Sequence, residues 1–357
     1  QCCNFPNSSW NSHYKKLFQT IASKDGTNIG KEHVVPEIKI GQSGIYDITL
    51  ENVEKSFGKN FSLKNINLEI VAGKIFGVIG VSGSGKTTLL RLIIGFYKPD
   101  KGRILYNQQE IHKHLKGLIK DFGFATQDNS FYKNLTAEEN VRFFGRLYGI
   151  YENKLSEKTD QILRVVELYD SRKTLAGNLS GGMQRRLDFA CALVNDPKIL
   201  ILDEPTEDLD PFLRHELLKL IKKVNSGGTT IIFTTHLINE AEYLCDKIAI
   251  LSEGEVLTVG SVNDLKKAYK NEEEIHLVLE DTSVYQKYIK RLRKFHTKVL
   301  GGSLMVHVSD KENAVGVLKT VLKWVEKDKG KVILADIRKP SLSEVFSALT
   351  KNAKKRK

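Results

Sequence analysis

Short apolar runs alternate with amphipathic segments through the middle of the chain. The short runs are typical of buried strands, and the segments between them repeat apolar residues at helical spacing. This alternation predicts an α/β layer with a mainly parallel sheet. The predicted strands are Ile48–Val53, Ile66–Ile70, Ile75–Ile79, Ile199–Leu202 and Thr230–Thr234.

Residues 131–178 interrupt this alternation with helical periodicity alone. Apolar residues recur there at the spacing of one helix face, as in Val141, Phe144 and Leu147. The pattern predicts a helical subdomain inserted in the α/β core.

Residues 272–350 follow a different pattern. Four strand-like runs and two helical segments alternate in the order β-α-β-β-α-β, which predicts a small α+β domain of the ferredoxin-like kind. A last helix is predicted from Ser341, because Ser341 and Glu344 have the spacing of a capping box.

These patterns divide the chain into four parts. The predicted parts are an N-terminal extension of unassigned role at 1–46, an α/β domain at 47–268, a C-terminal regulatory or dimerisation domain at 272–350, and a basic tail at 351–357.

Composition adds a preference for anionic partners. The 357 residues carry a formal net charge of +12, which favours contact with nucleic acid or with the inner leaflet of a membrane. No apolar run approaches the roughly 18–20 residues of a membrane-spanning helix. The four cysteines form no CxxC pair, which favours reduced thiols in a cytosolic protein.

One loop has the composition of a phosphate-binding site. Residues 80–87 fit G-x-x-x-x-G-K-[ST] between the strand Ile75–Ile79 and a helical run, although a glycine-rich turn without a ligand is the alternative. Glycines let backbone N–H groups face an anion, and the following helix points its positive end at the same place. Lys86 is expected to reach the β- and γ-phosphates, and the Thr87 hydroxyl to reach Mg²⁺. The candidate nucleotide-binding residues of the loop are Gly80, Ser82, Gly83, Ser84, Gly85, Lys86, Thr87 and Thr88.

Polar residues also follow other predicted strands. Asp203 and Glu204 end one apolar strand, and His236 follows another, so all three are expected at the carboxyl edge of the sheet beside the phosphate loop. Asp203 is a candidate ligand of Mg²⁺, and Glu204 is a candidate general base that polarises the attacking water. His236 can hydrogen-bond the γ-phosphate, although a lone histidine after a strand is usually structural. Gln127 can contact Mg²⁺ or the water, but alone it is a weak signal.

Residues 179–183 read Leu-Ser-Gly-Gly-Met and resemble the signature motif of ABC proteins. Together with the phosphate loop, the acid-ended strand and the late histidine, this motif makes the chain similar to ABC-transporter ATPase subunits over about residues 47–268. The resemblance implies a P-loop NTPase with a RecA-like core that hydrolyses ATP with Mg²⁺.

The resemblance also implies roles for single residues. Phe57 resembles the aromatic residue that stacks on adenine, Gln127 the glutamine that senses the membrane partner, and His236 the switch histidine. Asp210 stands at the usual acidic position of the loop after the acid pair. The signature residues that contact the γ-phosphate of ATP held by a second subunit correspond to Ser180, Gly181 and Gly182.

The implied assembly is a head-to-tail dimer of ATPase subunits, identical or related, on an integral-membrane permease at the cytoplasmic face of the cell membrane. Residues 140–149 and 339–346 further resemble the drug, antibiotic or sodium exporter ATPases of the ABC-2 type. The transported substrate does not follow from this sequence.

Four positions depart from the family pattern. Met183 replaces the common glutamine of the signature, Glu207 and Asp208 replace small residues, and Phe57 replaces tyrosine. Phenylalanine can still stack on a base. Acidic residues at a dimer interface can repel each other or pair with a basic partner face. None of these changes removes a catalytic group.

Two other function classes compete with this reading. The basic charge keeps open an ABC-type ATPase that acts on nucleic acid or ribosomes, but such proteins typically carry two ATPase units or a long coiled-coil insert. A GTPase-type switch requires an Asn/Thr-Lys-x-Asp loop after a strand, and the pair Lys64 and Asn65 does not provide one.

Overall fold

The computed structural model describes residues 46–58, 61–269, 273–309, 312–338 and 341–355. The chain divides after Leu257 into two compact units. The predicted N-terminal extension lies outside the described residues up to position 45, and so do the last two residues of the predicted basic tail.

Fourteen strands and eleven α-helices account for most of the described residues. The strands are β1 (Tyr46–Phe57), β2 (Phe61–Val71), β3 (Ile75–Ile79), β4 (Lys101–Tyr106), β5 (Gln109–Glu110), β6 (Phe122–Ala125), β7 (Ile199–Asp203), β8 (Thr230–Thr235), β9 (Lys247–Ser252), β10 (Glu255–Gly260), β11 (Glu273–Leu279), β12 (His296–Leu300), β13 (Ser303–Val308) and β14 (Val332–Arg338). The helices are α1 (Lys86–Ile93), α2 (Ile111–Leu118), α3 (Ala137–Leu147), α4 (Glu152–Val165), α5 (Gly181–Leu193), α6 (Pro211–Ser226), α7 (Ile238–Leu244), α8 (Val262–Tyr269), α9 (Tyr285–Arg291), α10 (Ala314–Lys327) and α11 (Leu342–Lys355).

The central sheet has six strands in the order β10-β9-β3-β8-β7-β6. The neighbouring pairs from β9 to β6 are parallel. This confirms the predicted α/β fold with a mainly parallel sheet. Because parallel strands all end at one edge, the residues after β3, β6, β7 and β8 meet there.

A second sheet holds two of the strands that the sequence assigned to the parallel layer. β1 and β2 pair antiparallel, with Val53 opposite Ile66, and β1 also pairs antiparallel with β4. The apolar run of a strand does not reveal its direction, but a short connection does: adjacent parallel strands need a crossover of a dozen or more residues, whereas β1 and β2 are joined by three.

The first unit has an apolar core on each face of the central sheet. Side chains alternate between the faces, so Ile199 and Ile201 join the core beneath the antiparallel sheet and α1. Leu200 and Leu202 join the core beneath α5 and α6. A strand buried on both faces is held in place along its whole length, and this fixes the position of the acids at its end.

The predicted helical insertion is present between β6 and α5. It consists of α3 and α4, which pack against each other and against α5. Thr136 and Glu139 form a capping box that begins α3. Val141 and Leu163 are fully buried in the core that this insertion shares with the sheet.

The second unit contains the predicted β-α-β-β-α-β order. Its four strands form an antiparallel sheet in the order β12-β13-β11-β14, with α9 and α10 as the two connecting helices. This strand order confirms the ferredoxin-like prediction. α8 packs against α11, which runs to Lys355 and so includes the start of the predicted basic tail.

No helix in the described part of the chain is both long enough and apolar enough to cross a membrane.

Candidate nucleotide site

The phosphate loop joins β3 to α1 and is shaped by its glycines. A side chain at Gly80 would collide with the Ser84 side chain and the Leu251 carbonyl. Gly83 and Gly85 adopt φ of +78° and +110°, a region that L side chains rarely enter. The N-terminus of α1 has no side-chain cap, and the buried Ser84 hydroxyl has no hydrogen-bond partner among the described residues. Such a loop can accept an anion at its backbone amides.

Lys86 is buried inside this loop. Its side chain is 5% exposed and its ammonium forms an ion pair with Glu204 Oε1 at 3.0 Å. The ammonium also donates to the Gly80 carbonyl at 2.9 Å. A buried cation is stable only with such partners, so Lys86 holds the phosphate loop and the acid-ended strand together.

Asp203 lies beside Thr87 at the end of β7. Its Oδ1 accepts a hydrogen bond from the Thr234 hydroxyl at 2.6 Å. Burial raises the pKa of Asp203, although the hydroxyls of Thr234 and Thr87 lower it. The other carboxylate oxygen of Asp203, Oδ2, is buried and accepts no hydrogen bond from Thr87 or from any other described residue. A carboxylate oxygen without a partner and a neighbouring hydroxyl are ligands suited to Mg²⁺.

Glu204 lies between the cation of the phosphate loop and the predicted switch histidine. Its Oε2 is 2.5 Å from His236 Nδ1, opposite the contact of Oε1 with Lys86. Burial raises the pKa of Glu204, but the hydrogen bonds from His236 and Lys86 outweigh it, so this pKa lies below the ordinary value. Glu204 is therefore an anion at neutral pH, as a base that orients water requires.

The loop after β6 is fixed at both ends by α5. Arg185 donates to the Thr126 carbonyl at 3.1 Å, and the buried carboxylate of Asp188 accepts from the Ser130 amide at 2.8 Å. Gln127 lies between these anchors. Its amide donates to Glu207 Oε2 at 2.6 Å, so in this structure Gln127 contacts the loop after β7.

Glu240 on α7 connects the loops that follow β7 and β8. Its buried carboxylate accepts hydrogen bonds from the hydroxyls of Thr206 and Thr235, both at 2.7 Å. Arg214 on α6 lies 3.3 Å from the same carboxylate. These contacts hold the loops that carry Glu204 and His236 in one arrangement.

Three predicted residues lie apart from this cluster. Phe57 packs edge-on against Tyr97 with 5.0 Å between ring centroids. The Ser180 hydroxyl caps α5 by accepting from the Met183 amide, and Asp210 caps α6. Within the described chain, no hydrogen bond or ion pair joins Phe57, Ser180 or Asp210 to Lys86, Asp203 or Glu204. Gly181 and Gly182 begin α5 beside Ser180.

Four residues of this site were not predicted from the sequence, namely Thr234, Asp188, Arg185 and Glu240. Thr234 had a detectable signal, because a hydroxyl in an apolar strand beside the strand of Asp203 needs a polar partner. Asp188 gave a weaker signal as a single acid within the otherwise apolar end of α5.

The buried Asp188 predicts a pH dependence of stability. Burial raises its pKa from 3.8 to about 6, so folding favours the protonated form. Its contribution to the free energy of unfolding is fully present below about pH 4 and is lost as the pH rises through 6, by about 3 kcal/mol in total. We therefore expect wild type to lose stability relative to Asp188→Asn between pH 4 and pH 7.5 in denaturant titrations. Parallel pH profiles of the two proteins would contradict this.

Comparison with known proteins identifies the family. The family model described as ABC transporter matches residues 63–207. The Nod factor export ATP-binding protein I of Rhizobium sp. (strain N33) is 32% identical over 309 residues, which cover 85% of this chain and 96% of that protein. The chain belongs to the ATP-binding proteins of ABC transporters. The daunorubicin resistance ATP-binding protein DrrA3 of Streptomyces coeruleorubidus is 31% identical over 305 residues, covering 85% and 95%. A bacterial ABC transporter cassette solved as a dimer is 32% identical with a TM-score of 0.55, covering 60% of this chain and 98% of that one.

The predicted identity is thereby confirmed. This ABC protein is an ATP-binding and ATP-hydrolysing motor subunit of a transporter, and the named relatives do not support the nucleic-acid alternative.

Proposed function

We propose that this ABC subunit uses ATP to close on a second ATPase subunit and thereby drives a separate integral-membrane permease of the ABC-2 exporter type. The observation that carries this proposal is the cluster at the carboxyl edge of the central sheet, where Lys86, Asp203, Glu204 and His236 surround the end of the phosphate loop. Relatives named for export and drug resistance support the exporter class.

The residues of the cluster divide the work of hydrolysis. The loop amides and Lys86 bind the phosphates, and Lys86 must exchange its partner Glu204 for the β- and γ-phosphates when ATP enters. Once released from Lys86, Glu204 accepts a proton from the attacking water. His236 keeps the Glu204 carboxylate oriented toward the terminal phosphate.

The donor set fits Mg²⁺. Asp203, with its unpartnered buried oxygen, and the hydroxyl of Thr87 would hold the ion, and Gln127 would reach it from the adjacent loop. When bound, Mg²⁺ neutralises charge on the β- and γ-phosphates.

The second half of the site would come from another subunit. Ser180, Gly181 and Gly182 at the start of α5 supply a helix N-terminus suited to an anion. Among the described residues, no hydrogen bond or ion pair joins them to Lys86 or Glu204 of their own chain. A head-to-tail dimer places this helix end over the γ-phosphate of the partner. Phe57 would stack on the adenine, and Asp210 would lie at the dimer interface. The proposed place of action is the cytoplasmic face of the membrane.

Purification from membranes tests this function. We expect the chain to be retained in detergent with an integral-membrane protein, and MgATP to shift the free subunit from monomer to dimer in size-exclusion chromatography. Purified subunit that has no affinity for MgATP, or membranes that retain none of it, would overturn the proposal.

A further inference from the structure

Gln127 forms a hydrogen bond with Glu207, an acidic residue at a position where the family pattern has a small residue. Gln127 Nε2 donates to Glu207 Oε2 at 2.6 Å across a separation of 80 residues. The hydrogen bond joins the loop after β6 to the loop after β7. A carboxylate acceptor makes it stronger than a bond between neutral groups.

Glu207 also adds a negative charge at the catalytic cluster. Single ligand atoms of Glu204, Glu207 and His236 all lie within 4.8 Å of one another. The Glu207 amide donates to the Glu204 carbonyl at 3.1 Å, which holds the two acids in one turn. A second carboxylate beside Glu204 disfavours the approach of another anion to this position.

The Gln127 side chain can change its hydrogen-bond partner, because the backbone around it and around Glu207 is held in place. The backbone on either side of it is fixed to α5 through Arg185 and Asp188. Glu207 is fixed in turn by the Glu204 carbonyl and by the neighbouring Thr206, which is bonded to Glu240. Rotation of one exposed amide therefore breaks the contact without moving either loop.

We propose that Glu207 is a specificity-determining residue that holds Gln127 away from the nucleotide and makes binding of a triphosphate costlier than binding of a diphosphate. This inference rests on the proposed function, which places the γ-phosphate beside Glu204. ATP must release Gln127 and bring its terminal phosphate toward the Glu207 carboxylate. ADP ends before this position and needs neither change.

The experiment compares the affinities of the full chain for the nonhydrolysable analogue MgAMP-PNP and for MgADP by isothermal titration calorimetry. Glu207→Ala removes both the hydrogen bond and the charge, and we expect at least about a threefold gain in AMP-PNP affinity with unchanged ADP affinity. Glu207→Gln keeps an acceptor for Gln127 and should give a smaller gain. In steady-state assays the gain should appear as a lower KM for ATP.

Asp208→Asn is the matched control. It removes the same charge one residue away, and asparagine tolerates the left-handed backbone of this position, where φ is +61°. We expect this variant to keep the wild-type ratio of the two affinities. Unchanged ADP affinity in every variant reports an intact phosphate loop.

An AMP-PNP to ADP ratio in Glu207→Ala that equals the ratio of wild type or of Asp208→Asn would overturn this inference. Absence of nucleotide binding by the wild-type chain would instead contradict the proposed function itself, so the two failures are distinguishable.

Discussion

Replacement of Glu204 by glutamine is expected to lower the turnover of ATP by a factor of about 10²–10⁴ while ATP binding persists. Glutamine keeps the size of the side chain and can still accept a hydrogen bond from Lys86, but it cannot take a proton from water. Because the bound ATP is then not consumed, the closed dimer should accumulate. Phosphate release measures the first effect, and size-exclusion chromatography with MgATP measures the second.

Glu216→Gln provides the control for this substitution. Glu216 lies on α6, where it forms a partly exposed ion pair with Lys219 at 3.0 Å, so its loss should leave turnover unchanged. Normal hydrolysis by the Glu204 variant would remove Glu204 from the role of general base.

The sequence predicts that Lys86, Glu204 and His236 meet, because each lies at or after the end of a strand. Asp203 and Glu204 end an apolar run, His236 follows another, and the phosphate loop follows Ile75–Ile79. A continuous apolar run is typical of a strand that is buried on both faces, as in the centre of a parallel sheet. Residues at its carboxyl end therefore meet without any knowledge of side-chain contacts.

Contacts between loops have no such pattern. The partners of Gln127 and Asp188 are 80 and 58 residues away, and neither contact leaves a periodic trace in the chain. The antiparallel sheet was not predicted for another reason. The apolar runs of β1 and β2 resemble those of the parallel strands. Their antiparallel pairing follows from the short connection between them and not from their apolar runs.

In the proposed mechanism, residues at strand ends bind and hydrolyse the nucleotide, whereas residues on loops regulate its binding. Groups that hold phosphate and activate water lie at strand ends, where packing on both faces fixes them. Gln127 and Glu207 lie on loops, where a side chain can exchange partners at small cost. A change in the position of one loop can thus alter the side-chain contacts of the cluster without disturbing the sheet.

Replacement of Lys86 by alanine should lower the affinity for MgATP by about 10- to 100-fold and abolish measurable hydrolysis. The substitution removes the buried ammonium that pairs with Glu204, and it leaves His236 as the remaining side-chain partner of Glu204 among the described contacts. Isothermal titration calorimetry measures the affinity. Lys74→Ala is the control, because Lys74 lies at the opposite end of β3 with a side chain 57% exposed and pairs with Asp246. Equal loss in both variants would show a general effect of charge, and unchanged ATP affinity in Lys86→Ala would remove Lys86 from the phosphate site.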